Sequence, residues 1–316
     1  MEGVIDAPMR ARLTSIGGYS RCVTEFVRVT DVLLPERVFF RLCPEMLGSG
    51  CTPSGTPVYV QLLGSNPNAL AINARRAVEL GAHGIDLNFG CPAKTVNNSM
   101  GGSILLREPQ TVAGIVQAVR DAVPAEVPVT AKIRLGYDDV DSLDEIVDGV
   151  HKAGATELAI HARTKFDGYK PPAYWDAVRP VMNEQRRTNT IINGEIWDVA
   201  DSVAAMQRST CSQLMLGRGA LSAPDLAKRI QQNDGTASPM AWSLLVDEVL
   251  DQFICSDQSS ERHIGNRTKQ WLAYLKRTYP QANSLFARIR TLHDAASIEK
   301  AFDEHKLVDL YVRDNT

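Results

Sequence analysis

Cys91 and Asn88 lie where a short apolar segment, residues 84–89, gives way to a loop that begins with Gly90. The segment predicts a buried strand, and the glycine and proline that follow end it. An ordinary thiol has a pKa of about 8.5, so Cys91 is protonated at neutral pH and can act as a general acid. The Asn88 amide offers a donor and an acceptor to a flat heterocycle. The alternative is that Cys91 is only a small packed side chain, as many free cysteines are.

Polar side chains also stand at the carboxyl ends of five other predicted strands, or directly after them. They are Gln61, Lys132 with Arg134, His161 with Arg163, the Asn193-Gly194-Glu195 segment and the Gly217-Arg218-Gly219 segment. The end of a buried strand is an unfavourable place for such groups unless a ligand or a partner satisfies them. Six strand ends of this kind predict one binding site at the carboxyl edge of a parallel sheet. The alternative is a set of salt bridges that caps the sheet.

Glycine-containing segments after the last two predicted strands indicate a phosphate site. Gly194 follows one strand, and the Gly217-Arg218-Gly219 segment follows the other. TIM barrels often bind phosphate at this position, on backbone N–H groups that glycine leaves exposed. Arg218 can add a bidentate contact to the phosphate oxygens.

Lys132 and Gln61 are typical of a site for a planar redox cofactor. Their side chains can hydrogen-bond the electron-rich edge of a flavin and stabilise its reduced form. In such a site hydride reaches the substrate from one face and a proton from the other, which gives the Cys91 thiol a role. Lys132 has a second interpretation as a Schiff-base lysine, because Arg134 close by would lower its pKa. The residues alone leave both interpretations open.

The elements that position these side chains alternate between strand and helix. Strands are predicted over residues 22–27, 57–62, 84–89, 127–134, 157–161, 190–193 and 213–216, and helices over 67–80, 109–123, 144–153, 175–182 and 199–207. The alternation predicts an α/β fold, a TIM (βα)8-type barrel. The pattern over residues 6–17 predicts a helix, so only seven strands are found. An open parallel sheet leaves two edges unpaired, which favours a first barrel strand located before Met1.

The pattern changes near residue 234, where a segment with Gly, Ser and Pro predicts a linker. From Trp242 onward only helical periodicity remains. We therefore predict a cofactor-binding barrel domain over residues 1–234 and an all-helical domain over residues 235–316.

The composition of the chain excludes several classes of protein. Its 316 residues are 44% hydrophobic and 22% charged, which is typical of a folded protein rather than a disordered one. The formal net charge of −3 means that any nucleic-acid binding depends on a local patch. Six scattered cysteines without a CxxC pair predict no metal site and a reducing, cytoplasmic compartment. The sequence shows no apolar run long enough for a membrane span and no signal peptide.

The motifs, taken in order, resemble those of the tRNA-dihydrouridine synthase family. The matching segments extend over nearly the whole chain and are residues 1–4, 24–28, 60–64, 86–92 (DLNFGCP), 132–136 (KIRLG), 161–164 (HART), 193–196 (NGEI) and 217–219 (GRG). Residues 26–29, 33–35, 52–55 and 269–272 resemble the bacterial branch that modifies uridine 16 in the D-loop. Family members usually have a short strand ending in Ala-Pro-Met just ahead of Glu2-Gly3-Val4, whereas Ala7-Pro8-Met9 here falls within the predicted first helix.

The resemblance implies an FMN enzyme that takes its electrons from NADPH and reduces uridine to 5,6-dihydrouridine in tRNA. It implies that hydride goes from the flavin to C6 and that Cys91 gives a proton to C5. The residues that it assigns to the flipped base are Asn88, Arg134 and Tyr169. Those that it assigns to FMN are Gln61, Lys132, His161, Asn193, Gly194, Glu195, Gly217 and Arg218. Removing the base from its stack is physically reasonable, since ring chemistry cannot proceed inside a folded tRNA.

Basic residues cluster in the predicted helical domain and provide a candidate tRNA surface. They are Arg262, His263, Arg267, Lys269, Lys276 and Arg277. Such a stripe can follow phosphates, with binding that weakens as salt rises. The alternative is a solvated helix face, with Trp271 and Leu272 directed to the core.

Two other functions fit parts of the sequence. A flavin barrel that reduces a free pyrimidine or another small enone would not need the basic helical domain. An RNA-binding homologue that lost catalysis with its first strand would need only that domain. For the favoured function we expect a monomer with no metal and no membrane association.

Overall fold

A computed structural model describes residues 3–233, 235–256 and 263–314 of the chain. The chain forms two compact units, each built from two separate stretches of sequence. The first unit comprises Met1–Ala7 and Tyr19–Gly217, and the second comprises Pro8–Gly18 and Arg218–Thr316. The assignment of residues 1–234 to cofactor binding and of residues 235–316 to a separate helical domain stays a prediction.

The first unit is built around one parallel sheet. Its strands, in chain order, are β1 (Cys22–Val23), β2 (Val27–Arg28), β3 (Val58–Leu63), β4 (Ile85–Asn88), β5 (Val129–Arg134), β6 (Glu157–His161), β7 (Thr190–Asn193) and β8 (Gln213–Met215). Both β1 and β2 pair with β3, and each later strand pairs in parallel with the next one along the chain. This order, with helical connections, is the arrangement of a TIM-type barrel. Among the described residues, no strand bridges β8 and β1.

Helices connect the strands and make up the second unit. In chain order they are α1 (Ala7–Ile16), α2 (Glu36–Leu42), α3 (Pro67–Glu79), α4 (Lys94–Asn97), α5 (Pro109–Ala122), α6 (Leu143–Lys152), α7 (Glu184–Asn189), α8 (Val199–Ser209), α9 (Arg218–Ser222), α10 (Leu226–Gln231), α11 (Trp242–Ser256), α12 (Asn266–Leu275), α13 (Pro280–Ile289) and α14 (Ala295–Asp314). In the first unit, α3 packs against α5, and α5 packs against α6.

The helices of the first unit begin and pack as their sequences dictate. The Asn66 side chain caps α3 by accepting from the backbone N–H groups of Asn68 and Ala69, and a proline occupies the first turn. Helix α6 buries side chains at positions i, i+3, i+4 and i+7, which are Leu143, Ile146, Val147 and Val150.

Most predicted elements are confirmed, and the exceptions have local causes. The strand predicted over residues 22–27 is split into β1 and β2, because the Thr24 hydroxyl accepts the Gln61 N–H in place of a backbone carbonyl. The helix predicted over residues 175–182 is wrong. Two short 3-10 segments, Trp175–Ala177 and Arg179–Val181, occupy this region, and Pro180 lacks the N–H that a continuous α-helix needs there. The sequence patterns did not predict α2, α4, α7, α9 and α10.

The second unit is helical, and it includes the predicted N-terminal helix. Helix α11 packs against α12 and α14, and α12 packs against α13. Arg12 on α1 forms an ion pair of 2.7 Å with Glu248 on α11 and also donates to Gln252. A side chain at Gly18 would lie 2.3 Å from the Lys228 backbone nitrogen, so only glycine allows this approach. Helix α1 therefore belongs with the helical unit rather than with the sheet.

Candidate active site

The strand register aligns the predicted site residues in layers. Residues that pair side by side on neighbouring strands form three layers. The layer farthest from the carboxyl edge contains Gln61, Asp86 and Thr130, the next contains Asn88 and Lys132, and the layer nearest to the edge contains Arg134, His161 and Asn193. Side chains two residues apart on one strand share a face of the sheet. The sheet thus brings the predicted strand-end residues of β3 to β7 together, as the sequence predicted.

Asn88 holds the loop that carries Cys91. The Asn88 Oδ1 atom accepts from the backbone N–H groups of Gly90 and Cys91, each at 3.0 Å. Its Nδ2 atom donates to Gln61 Oε1 at 2.8 Å. The Asn88 oxygen is therefore committed to the loop, which leaves one amide hydrogen for the predicted contact with a base.

Cys91 is half-buried, and its backbone is fixed on both sides. The Cys91 carbonyl accepts from Asn97 Nδ2 and from Ser103 Oγ, each at 2.9 Å. The Arg134 guanidinium lies near enough to interact electrostatically with the thiol. The side chain also packs against a small cluster of Phe26, Leu63 and Val96. Cys91 is thus partly accessible at the strand end, in an environment that is apolar on one side and charged on the other.

Arg134 is buried and connects two loops through hydrogen bonds to their backbone carbonyls. Its Nε atom donates to the Gly90 carbonyl, and its Nη1 atom donates to the carbonyls of Thr164 and Gly168, all at 2.9 Å. Its guanidinium carbon lies 5.2 Å from the centroid of the Tyr169 ring, whose side chain is exposed. Burial lowers the pKa of Arg134, and Tyr169 opposes that shift. Two residues predicted to hold a base, Arg134 and Tyr169, are therefore adjacent.

Lys132 links β5 to β7. Its Nζ atom donates to Asn193 Oδ1 at 2.8 Å, and Asn193 Nδ2 donates to the Met215 carbonyl at 2.7 Å. Burial, aided by the charge of Arg134, lowers the pKa of Lys132 to about 7, whereas Asp86 opposes this shift. A lysine that changes charge near neutral pH within a polar cluster is a functional-site candidate.

The turn at Gly194 and Glu195 has an unusual backbone. The two residues have φ angles of 114° and 54°, in the left-handed region. A Cβ atom at Gly194 would make a tight contact of 3.1 Å with the His161 ring, and the left-handed φ angle by itself favours glycine here. The Trp175 indole donates to the Gly194 carbonyl at 2.8 Å and fixes the turn from the other side.

The Glu195 carboxylate is held by two partners. Arg163, whose side chain is fully buried, forms an ion pair of 2.9 Å with Glu195 Oε1. The Trp197 indole donates to Glu195 Oε2 at 3.0 Å. Both carboxylate oxygens are therefore engaged within the protein, and we expect the predicted cofactor contact of Glu195 to involve its backbone.

Gly217 and Arg218, the predicted phosphate-binding pair, lie where the chain passes from one unit to the other. Gly217 ends the first unit, and Arg218 begins α9 in the second. Their binding of phosphate stays a prediction.

Lys269 and Lys276, two of the predicted tRNA-binding residues, are held by contacts within the second unit. Lys269 Nζ donates to the Leu292 carbonyl at 2.6 Å. Lys276 Nζ lies 3.3 Å from the centroid of the Phe286 ring. These contacts restrain the two ammonium groups without neutralising their charge.

The other residues of the predicted basic stripe differ in exposure. Arg277 is exposed and Arg267 is half-buried, whereas Arg262 lies outside the described residues. Trp271 is buried and donates to the Leu221 carbonyl at 3.1 Å, which confirms that it faces the core.

Asp86 and Thr130 were missed as candidate site residues. Asp86 is only 1% exposed, and it accepts from Gln61 Nε2 at 2.7 Å and from Thr130 Oγ1 at 2.5 Å. Burial raises the pKa of Asp86, while these hydrogen bonds and the charge of Lys132 oppose the shift. The alternation along β4 was the available signal, since Asp86 shares a strand face with Asn88.

The described part of the chain contains neither a helix suited to crossing a membrane nor a cluster of metal ligands. None of its helices combines the length and the apolar character that crossing a bilayer requires. No group of three or more His, Cys, Asp or Glu side chains within it is arranged to hold a metal ion.

Known proteins resemble this chain over nearly its full length. The dihydrouridine synthase (Dus) family model matches residues 1–306. The tRNA-dihydrouridine(16) synthase of Shewanella oneidensis is 52% identical over 306 residues, which are 96% of each chain. The protein of the same name from Vibrio cholerae is 50% identical over 298 residues, covering 92% of this chain and 90% of that one. The one from Escherichia coli O157:H7 is 45% identical over 305 residues, or 95% of each chain. The chain belongs to the dihydrouridine synthase family.

Proposed function

We propose that this protein reduces uridine 16 in the D-loop of tRNA to 5,6-dihydrouridine, with FMN as its cofactor and NADPH as the reductant. Membership of the dihydrouridine synthase family supports the reaction, and the names of the relatives support the position. The observation that supports proton transfer is the position of Cys91, which is half-buried on a loop that Asn88 and Arg134 fix.

The residues at the strand ends fit a flavin. Lys132 Nζ and Gln61 Nε2 each donate one hydrogen bond within the protein and have further N–H hydrogens for acceptors on a ring edge. A Cβ atom at Gly194 would lie 3.1 Å from the His161 ring, so the glycine leaves space beside this ring. The residues that would hold FMN are Gln61, Lys132, His161, Asn193, Gly194, Glu195, Gly217 and Arg218. When bound, FMN supplies the hydride that adds to C6 of the base.

The protein's own part in the reaction is to hold the base and to deliver a proton. The Cys91 thiol gives its proton to C5 and recovers it from solvent. Asn88 offers an amide hydrogen to the base, and the exposed Tyr169 ring beside Arg134 provides a surface for it. The base must leave the tRNA stack to reach these groups, which lie at the strand ends.

We assign the tRNA backbone to basic residues of the second unit. Arg267, Lys269, Lys276 and Arg277 would contact phosphates, and the affinity would fall as salt rises. The protein would act as a monomer in the cytoplasm, where both tRNA and NADPH are present.

The test is to incubate purified protein with FMN, NADPH and unmodified tRNA, and to map the product by nuclease digestion and mass spectrometry. We expect dihydrouridine at position 16 alone. A tRNA with cytidine at position 16 is the matched control, and free uridine separates this function from reduction of small enones. Product from free uridine at a comparable rate, or modification only at other positions, would refute the proposal.

A further inference from the structure

Asp86 begins a chain of side-chain hydrogen bonds that ends at the backbone of Cys91. Gln61 Nε2 donates to Asp86 Oδ2 at 2.7 Å, and Asn88 Nδ2 donates to Gln61 Oε1 at 2.8 Å. Asn88 Oδ1 then accepts from the N–H groups of Gly90 and Cys91 at 3.0 Å. On its other side, Asp86 Oδ1 accepts from the Thr130 hydroxyl.

The two ends of this chain fix its direction. A backbone N–H can only donate, so Asn88 turns its oxygen to the loop, and Asp86 Oδ2 accepts at the other end. Between them stand two amides, each with one donor end and one acceptor end. If either amide turned over, an N–H group would face another N–H group, or an oxygen another oxygen. Asp86, Gln61 and Thr130 are each no more than 5% exposed, so water does not offer a ready substitute.

We propose that Asp86 is a positioning residue that orients the Gln61 and Asn88 amides and thereby holds the Cys91 loop. This proposal rests on the proposed function only in taking Cys91 as the proton donor of the reaction. The hydrogen-bond chain itself belongs to the protein without tRNA. Gln61 thus also keeps its second amide hydrogen, rather than its oxygen, available to a cofactor.

Hydrogen exchange on the flavin-free protein tests the proposal without relying on catalysis. In Asp86→Ala, Gln61 loses the acceptor that orients it, and we expect amide exchange at Gly90 and Cys91 to rise about tenfold. Thr130→Val is the matched control, because it removes a hydrogen bond to the same carboxylate but leaves the Gln61–Asn88 link intact. We expect exchange in this variant to stay within about twofold of the wild type. Equal exchange in the two variants, or no rise in Asp86→Ala, would overturn the proposal.

Reversing the direction of the hydrogen bonds between residues 86, 61 and 88 provides a second test if Asp86→Ala does not fold. Asn88→Asp alone places a carboxylate at both ends of Gln61, where only one can receive its N–H group. Adding Asp86→Asn moves the single carboxylate to position 88 and lets the two hydrogen bonds of Gln61 re-form in the opposite direction, while the Gly90 and Cys91 N–H groups and the Thr130 hydroxyl donate as before. We expect the midpoint of thermal unfolding to be higher in the double variant than in Asn88→Asp alone. A double variant whose midpoint falls by the sum of the two single losses would contradict the proposal.

These outcomes are separable from those of the proposed function. Protein that shows the exchange and unfolding results but makes no dihydrouridine would remove the proposed function and leave the positioning role of Asp86. Protein that makes dihydrouridine but does not show the exchange and unfolding results would remove the positioning role of Asp86 and leave the proposed function.

Discussion

The strand-end cluster of the first unit and the basic helical surface of the second differ in how their side chains are held. In the cluster, Asn88 and Arg134 each bond the Cys91 loop, and their partners are fixed backbone groups. On the helical surface, Arg277 is exposed and Lys276 rests on a phenylalanine ring. The first arrangement sets positions, whereas the second supplies charge. Substitutions in the cluster should therefore have larger and more specific effects than substitutions on the helices.

The largest effect is expected from Cys91→Ala. Loss of the proton donor should reduce dihydrouridine formation by about 10²- to 10⁴-fold, the usual contribution of general acid catalysis. NADPH-driven bleaching of the flavin should stay within about twofold, since that half-reaction does not use the thiol. Stopped-flow absorbance and product mapping on the same preparation measure both quantities. Cys51→Ala, which changes a half-buried cysteine of the same unit, is the control and should leave both rates unchanged. Equal loss of both half-reactions in Cys91→Ala would remove the assigned role.

Arg163→Met tests whether the turn at Glu195 depends on its buried ion pair. Removing one partner leaves Glu195 without its charge partner, and we expect a loss of about 3–5 kcal/mol in the free energy of unfolding. Urea denaturation measures this loss. Arg107→Met breaks an exposed pair with Asp138 and should cost less than about 1 kcal/mol. Similar losses in the two variants would mean that burial does not set the importance of the Arg163 pair.

The pKa of Lys132, lowered to about 7, predicts a pH dependence of stability. Between pH 7 and the ordinary pKa of lysine, the unfolded chain holds a proton that the folded chain lacks. The free energy of unfolding should thus rise with pH across this window, by up to about 1.4 kcal/mol per unit from this residue. The contribution of Lys132 is the difference in the free energy of unfolding between wild-type and Lys132→Met protein, both free of flavin, measured by urea denaturation from pH 7 to 10. A difference that does not vary with pH would show that Lys132 keeps its ordinary pKa. Borohydride trapping of an adduct on Lys132 would favour the Schiff-base alternative.

The smallest effect is expected on the helical surface. Arg277→Gln should weaken tRNA binding a few-fold and reduce the slope of log affinity against log salt by about one unit, as loss of one phosphate contact does. Fluorescence anisotropy across a salt series measures both. Lys300→Gln removes an exposed charge from α14, outside the predicted stripe, and should leave the slope unchanged. If the two variants gave the same slope, the surface would act through its net charge alone.

The sequence predicted the strands and their polar ends because each depends on local pattern. The apolar segment before Cys91 and the glycine at position 194 required no knowledge of distant partners. The partners of Asp86 and Arg163 were different. The alternation along β4 places Asp86 on one face with Asn88, but no spacing reveals its bond to Gln61 or the ion pair of Arg163 with Glu195. Helix α1 was predicted correctly as a helix, but its place with the helical unit depends on Arg12 meeting Glu248, more than 200 residues away.

The proposed function requires that a flavin held at the strand ends reduces a uridine presented by tRNA, and single-turnover oxidation of the bound flavin tests this requirement. Protein reduced anaerobically with one equivalent of NADPH is mixed with unmodified tRNA, and flavin absorbance is followed. We expect rapid recovery of the oxidised spectrum with this tRNA and none with tRNA that already carries dihydrouridine at position 16. Equal recovery with both tRNAs, or recovery with neither, would contradict it.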